Sequence, residues 1–510
     1  MKNLDVLFVS PSNAKEIYQS LSDEISAIET PTWALLLAQS CRSLGYNVGI
    51  LDMLAENLSL EDGLKRINEL SPKLICFVVY GQNVNAGTVS MSGAVKFSEY
   101  IKSSGVSTPL AYIGSYVQAL PKKALIDEES IDFVFMNEGV YALHNLLKVE
   151  NLDVNDLGSI KGIAWRKDGK IIFNEPEEIV PSERMDIDLP GYAWDLLPFK
   201  EKPLDLYRSP LWHAEYDESK RTPYAALQTS LGCQFGCSFC MINILNRNDN
   251  EEVGVASNYS KMRFWSPEFI IKEFDKLNEL GVQTIRIVDE MFLLNKKYYV
   301  PLCEMLAART YSKDLRMWAY SRVDTVTDPG KLELVRRAGI KWLCLGIESF
   351  DRNVRLEVSK GKFQDVDITK VVEQIEDADI DVMANFIFGL PGDTHESMQA
   401  TLSLSKELNT RGWNAYPAIA LPGSKLYKDS LDAGLPIPDT YDKFGFLSKK
   451  TLPMYNENLS RMEILKFRDQ AFYDYHSSPE FLSKVESKFG AIAKNTMLEI
   501  ISRTLVREEL

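Results

Sequence analysis

Three cysteines within one short run constrain this chain more than anything else in it. Cys233, Cys237 and Cys240 stand in SLGCQFGCSFCMIN with the spacing C-x3-C-x2-C. Three thiolates on one tight loop can hold three irons of a cubic 4Fe-4S cluster, which leaves the fourth iron open to a small molecule. A closed structural zinc site takes four protein ligands, often as two CxxC pairs. No second pair accompanies this loop, and the nearest histidine, His213, precedes it. The remaining cysteines, Cys41, Cys76, Cys303 and Cys344, sit in apolar periodic stretches and read as core. Seven cysteines without a paired framework point to a reducing cytoplasm.

A chain of 510 residues holds two or three domains. Its net charge of -15 repels polyphosphates and argues against nucleic-acid binding. No uninterrupted apolar run reaches membrane-spanning length. The opening MKNLDVLFVS reads as a strand and not as a secretion signal.

Residues 1–150 alternate strand and helix: LDVLFVS, NVGILD, KLICFVVY, PLAYIG and DFVFM are the strands. The expected fold is α/β, a doubly wound sheet whose ligands bind outside the carboxyl ends of the strands. Candidate contacts there are Ser10, Asn13, Tyr80, Gly81, Gly114, Ser115, Glu138 and Gly139. Residues 151–222 read as a linker with a β-hairpin around Asp168-Gly169. Residues 223–428 carry six further strand–helix units, which predicts a partial (β/α)6 barrel with its chemistry at the strand ends. Those ends hold Asp289 and Glu290, Arg322, Glu348, and the Gly389-Leu390-Pro391-Gly392 turn. Residues 429–510 are expected to be mainly helical. Ser460 and Glu463 give a capping box, followed by a stripe of Met462, Leu465, Phe467, Phe472 and Tyr475.

The cysteine loop, with Phe239 just before its last cysteine, resembles the CxxxCxxC signature of radical S-adenosylmethionine (SAM) enzymes. AYIGSYVQALP and DFVFMNEG resemble stretches of the cobalamin-binding domain that precedes the radical SAM core in the cobalamin-dependent members, with Ser115 replacing a glycine. The resemblance covers nearly the whole chain. It implies a Rossmann-like cobalamin domain, a radical SAM barrel and C-terminal helices that close the barrel's open side. It also implies that the three cysteines hold the cluster and that SAM chelates the open iron. Phe239, Asp289, Glu290, Arg322, Glu348, Gly389 and Pro391 would then contact SAM. Ser10, Asn13, Tyr80, Gly81, Gly114, Ser115, Glu138 and Gly139 would contact cobalamin.

The segment after the first strand, PSNAKEIYQSLSDE, has no histidine, so the cobalt is expected to lack both a histidine and its own base as lower ligand. The implied activity is methylation of an unactivated carbon of a small molecule through a 5′-deoxyadenosyl radical and methylcobalamin. Flavodoxin or ferredoxin would be the electron donor. The alternative is radical cyclisation, ring contraction or rearrangement without methylation. tRNA methylthiolation would need a second cysteine triplet upstream, where only Cys41 and Cys76 occur. A non-catalytic cobalamin carrier would leave the cysteine loop unexplained. The substrate itself is not readable.

Overall fold

A computed structural model describes residues 3–12, 19, 27–81, 84–150, 152–199, 207–209, 222–326, 328–358 and 366–508. Asn13 lies outside the described residues.

The first five strands are short and almost wholly apolar, as a sheet covered on both faces requires. They are β1 Val6–Ser10, β2 Val48–Asp52, β3 Ile75–Val79, β4 Leu110–Gly114 and β5 Phe133–Phe135. They pair in parallel in the order β2-β1-β3-β4-β5. The order reverses between β1 and β3, which opens a crevice at their carboxyl ends, beside Ser10 and Tyr80. The predicted hairpin forms from β6 Ile163–Lys167 and β7 Lys170–Phe173, turning through Asp168 (φ 48) and Gly169 (φ 72). It is no detached linker. β6 pairs antiparallel with β5, so the hairpin extends the first sheet to seven strands.

The second sheet has six parallel strands and forms the half-barrel. In spatial order these are β15 Gly412–Pro417, β14 Asp381–Phe388, β13 Ile340–Glu348, β12 Arg316–Arg322, β11 Thr284–Ile287 and β8 Tyr224–Leu227. Helices between the strands start where the sequence signals them. Ser266 caps Pro267–Glu279, Asn295 caps Lys296–Ala307, and Thr394 caps His395–Leu408, each through a backbone N–H. A two-stranded ribbon, β9 Ser230–Cys233 with β10 Lys261–Phe264, carries the cysteine loop out of the barrel.

A half-barrel leaves two strand edges exposed, and an uncovered edge invites pairing with other chains. At β8 the Thr30 hydroxyl accepts the Ala226 N–H (2.9 Å) and donates to the Ala226 carbonyl (3.0 Å). Beside it, Glu29 accepts from Tyr224 (2.5 Å) and pairs with Arg286 (2.7 Å). At β15 the helix Arg461–His476 packs on the sheet. Arg468 Nε donates to the Ala415 carbonyl (2.8 Å), and Tyr475 stacks on Trp413 at 5.2 Å. The C-terminal region is helical as expected: Ser460 and Glu463 form their capping box, the stripe from Met462 to Tyr475 lies on one helix, Arg461–His476, and Ser478 caps a second, Pro479–Phe489.

Candidate active site

The cysteine loop is built by local backbone constraints before any ligand enters. Gly232 has φ +78, and a Cβ there would stand 2.2 Å from the Lys261 carbonyl oxygen, so only glycine lets β9 run this close to β10. Asn243 then ties the loop to itself. Its Oδ1 accepts the Cys233 N–H (2.7 Å), and its Nδ2 donates to the Phe235 carbonyl (3.2 Å). Neighbouring elements grip the loop: Ser238 N–H donates to Val358 (3.0 Å), and its carbonyl accepts Leu426 N–H (2.9 Å). Cys240 N–H closes a turn onto the Cys237 carbonyl (3.1 Å).

All three thiols face one cavity of about 1440 Å³ that runs through the half-barrel. Burial pushes the Cys233 thiol up to about 12 and also raises Cys240 well above the usual thiol value, which favours the neutral thiols until a metal displaces the proton. Among the described residues no three His, Cys, Asp or Glu side chains close round a single-ion site. A cubic cluster puts each thiolate on a different iron, so its ligands stand apart. Three thiols along one cavity wall fit that donor set.

Of the other expected contacts, Phe239, Glu290, Arg322 and Glu348 line the same cavity. The Arg322 guanidinium lies 4.1 Å over the Phe235 ring and is held by Asp324 (2.6 Å). Glu348 has φ +66, where the β13–β14 register shifts. This bulge re-aims a strand end at the cavity, and strained backbone of this kind gathers at functional sites. Asp289 takes another part. It is buried and accepts from the Thr229 N–H, the Thr229 hydroxyl and the Ser230 hydroxyl, all at 2.6 Å. It fastens the connection between β8 and β9, and Glu290 alone of the two faces the cavity. The turn at Gly389–Gly392 brings Leu390, and not Gly389 or Pro391, to the wall. Asp393 holds it by accepting the Gly389 (2.9 Å) and Leu390 (3.2 Å) N–H groups.

The cobalamin candidates divide. Ser10 and Tyr80 are half-buried and Gly81 exposed, all at the switch-point crevice. Gly114, Ser115, Glu138 and Gly139 are buried. Gly114 is needed because a Cβ there would meet the Val79 carbonyl at 2.2 Å. Glu138 is fully engaged within the protein: one oxygen pairs with Arg263 (2.6 Å) and the other accepts the Val180 N–H (2.5 Å). It ties the first sheet to the strand β10 behind the cysteine loop. From the first region the cavity wall takes Ala27, Asn85, Ala86 and Val89, none of which the sequence singled out.

Deeper in the barrel, register places Arg322 beside Gly346, Gly346 beside Asn385, and Asn385 beside Asn414, in one layer facing the cavity. Asn385 Nδ2 serves the Leu345 (3.3 Å) and Met383 (3.1 Å) carbonyls, so its Oδ1 accepts from Asn414 Nδ2 (3.4 Å). Period-two alternation along β14 and β15 was the signal that could have found this pair. Beyond it lie Met462, Phe472 and Met497 of the C-terminal helices.

The Radical SAM superfamily model matches residues 227–405. The half-barrel is a radical SAM domain. An uncharacterized methyltransferase of Pyrococcus horikoshii is 24% identical over 95% of this chain and 95% of its own length. The anaerobic magnesium-protoporphyrin IX monomethyl ester cyclase of Cereibacter sphaeroides is 23% identical over 90% of this chain and 68% of its own. Among solved structures, the radical S-adenosylmethionine methyltransferase TsrM from Kitasatospora setae, with cobalamin and a [4Fe-4S] cluster bound, superposes with a TM-score of 0.66. The match has 14% identity and covers 98% of this chain and 99% of that one. The radical SAM domain and the sheet that precedes it thus share one architecture with that enzyme.

Proposed function

We propose that this protein is a cobalamin-dependent radical SAM enzyme that methylates an unactivated carbon of a small molecule. The observation that carries the reading is one cavity that joins the three thiols of the C-x3-C-x2-C loop, the strand-end charges Glu290, Arg322 and Glu348, and Asn85, Ala86 and Val89 of the turn and helix that follow β3. When bound, the cluster with SAM supplies a 5′-deoxyadenosyl radical, and methylcobalamin supplies the methyl group.

The chain's own residues do the positioning. Cys233, Cys237 and Cys240 hold three irons. Arg322, steadied by Asp324 and Phe235, offers a cation to the SAM carboxylate. Glu290 offers an acceptor to the SAM amine, and Glu348 an acceptor to its ribose. The barrel layers and C-terminal helices exclude water from the reacting carbon and hold it in place, which is worth several orders of magnitude in effective concentration. Reduced flavodoxin or ferredoxin in the cytoplasm supplies the electron.

The relative named a cyclase supports a second reading, ring formation without methyl transfer. The test is anaerobic purification and reconstitution with iron, sulfide and hydroxocobalamin, followed by turnover with SAM deuterated in its methyl group. About four irons per chain, a retained corrin band and a deuterated methyl in the product are expected. A product with no added carbon refutes methyl transfer and leaves cyclisation. Zinc in place of iron–sulfur refutes the whole reading.

A further inference from the structure

Asn85 connects the two halves of the molecule at the sulfur of one cysteine. Val84–Ala86 form a single turn between β3 and the helix Gly87–Ser103, at the carboxyl end of the first sheet. That turn reaches the cysteine loop, more than 150 residues away in sequence: the Met241 N–H donates to Asn85 Oδ1 at 3.1 Å. Both atoms of the Asn85 amide stand 3.9 Å from Cys240 Sγ.

Protonation decides which of them bonds. A Cys240 thiol could donate to Oδ1. A thiolate has no proton and can only accept, and Oδ1 is already taken by the Met241 N–H, so the Nδ2 hydrogens are what faces the sulfur. Cys233 has a backbone donor in the same role, the Phe235 N–H at 3.5 Å.

We infer that Asn85 is a positioning residue that donates a hydrogen bond to the Cys240 thiolate and so lets the first domain set the reduction potential of the cluster. The inference rests on the cluster assignment made above and goes beyond it. Reduction adds one electron, and its negative charge spreads onto the sulfurs. An N–H dipole aimed at a sulfur stabilises the reduced form more than the oxidised one and raises the potential. The cavity's low dielectric magnifies the effect. Because the same turn follows Tyr80 and Gly81 at the switch-point crevice, a ligand seated in the first domain bears on the same contact.

The test is an electron-paramagnetic-resonance redox titration of the reconstituted holoenzyme, with dithionite as reductant, for the natural protein, Asn85→Ala and Asn85→Asp. Asn85→Asp keeps the acceptor for Met241 and places a negative charge beside the thiolate. Both variants are expected to titrate at lower potential, Asn85→Asp the lower. A tenfold loss in the reduced-to-oxidised ratio corresponds to about 59 mV for one electron. Equal potentials in variants that hold the same iron overturn the inference.

Should a variant lose its cluster, the natural protein still decides the matter. With asparagine labelled by nitrogen-15 at the side-chain amide, the reduced cluster is expected to show a hyperfine coupling to that nitrogen, and its absence overturns the inference. Natural protein that takes up no iron–sulfur cluster refutes the functional reading, and this inference with it.

Discussion

Glu138 and Arg263 make the strongest quantitative claim in the structure. Both side chains are buried, with 1% and 0% relative exposure, and their atoms meet at 2.6 Å. Further bonds surround the pair: Arg263 donates to the Val180 carbonyl (2.7 Å) and Asn246 Oδ1 (2.8 Å), while Glu138 accepts the Val180 N–H (2.5 Å), and Arg263 Nε alone of the pair's polar atoms is left unbonded among the described residues. Removing one partner leaves a full charge in a dry site, which costs about 3–5 kcal/mol. Glu138→Ala also strands the Val180 N–H, so it belongs at the upper end of that range. Glu138→Gln retains an acceptor for Val180 and belongs at the lower end. Replacing both residues, as Glu138→Leu with Arg263→Met, removes both charges together and should cost several kcal/mol less than the sum of the two single changes.

The assay is urea unfolding of the natural protein, Glu138→Ala, Glu138→Gln, Glu138→Leu, Arg263→Met and the double variant, followed by tryptophan fluorescence and by the visible absorption of the cluster. Two probes are needed because a chain of several domains need not unfold in one step. Glu138 follows β5 of the first sheet and Arg263 lies on β10 behind the cysteine loop, so both probes should shift together in the single variants. Strictly additive effects, or a Glu138→Ala change that lowers corrin retention without lowering stability, would refute the argument and return Glu138 to the role of a cobalamin contact.

Three further outcomes follow from the geometry. Gly232→Ala should cost about 1–3 kcal/mol from the left-handed backbone alone, with more from the 2.2 Å approach to Lys261, and should lower iron content on reconstitution. His476 is buried with its Nδ1 against the Phe472 carbonyl (2.8 Å), and burial lowers it from 6.5 to about 4. The folded state therefore refuses a proton that the unfolded state accepts: stability is full above pH 6.5 and falls by up to about 3 kcal/mol as pH drops through 4, a slope that His476→Phe should remove in melts across that range. Asn414→Leu should leave the cluster's spectrum and potential unchanged and lower turnover at least tenfold. Unchanged turnover would show that the Asn385–Asn414 layer does not touch the substrate.

What was legible in the sequence follows from what is local. The apolar runs of β1 and β3 and the Ser460–Glu463 capping box are short-range signals, and each landed where expected; the caps at Ser266, Asn295 and Thr394 are equally local. The hairpin at 163–173 was equally legible as a hairpin, yet no local signal says which sheet edge will take it, and β5 did. Adjacent carboxylates pose the same difficulty at finer scale. Asp289 and Glu290 are alike in sequence. Only the approach of Thr229 and Ser230 turns the first inward as a fastener and leaves the second on the cavity wall. Glu138 was read as a ligand contact because its neighbours resemble a binding stretch. Its partner stands 125 residues further on, at Arg263, a long-range pairing that no spacing rule reaches.

These residues share a physical character with one the sequence did not single out. Asp289, Glu138 and Asn243 are buried polar groups whose bonds hold the frame of the cysteine loop. The eight-residue cysteine loop packs Cys233, Phe235, Phe239 and Cys240 against the apolar core, and polar ties to the strands and turns around it fix the rest of its shape. Those ties run to β10 through Asn246 and Arg263, to the half-barrel through Asp289, and to the first sheet through Glu138 and Asn85. Two of these five residues, Glu138 and Asn85, thus come from outside the radical SAM domain. A barrel cut free at residue 222 should therefore bind iron less tightly than the full chain, even though it carries all three cysteines.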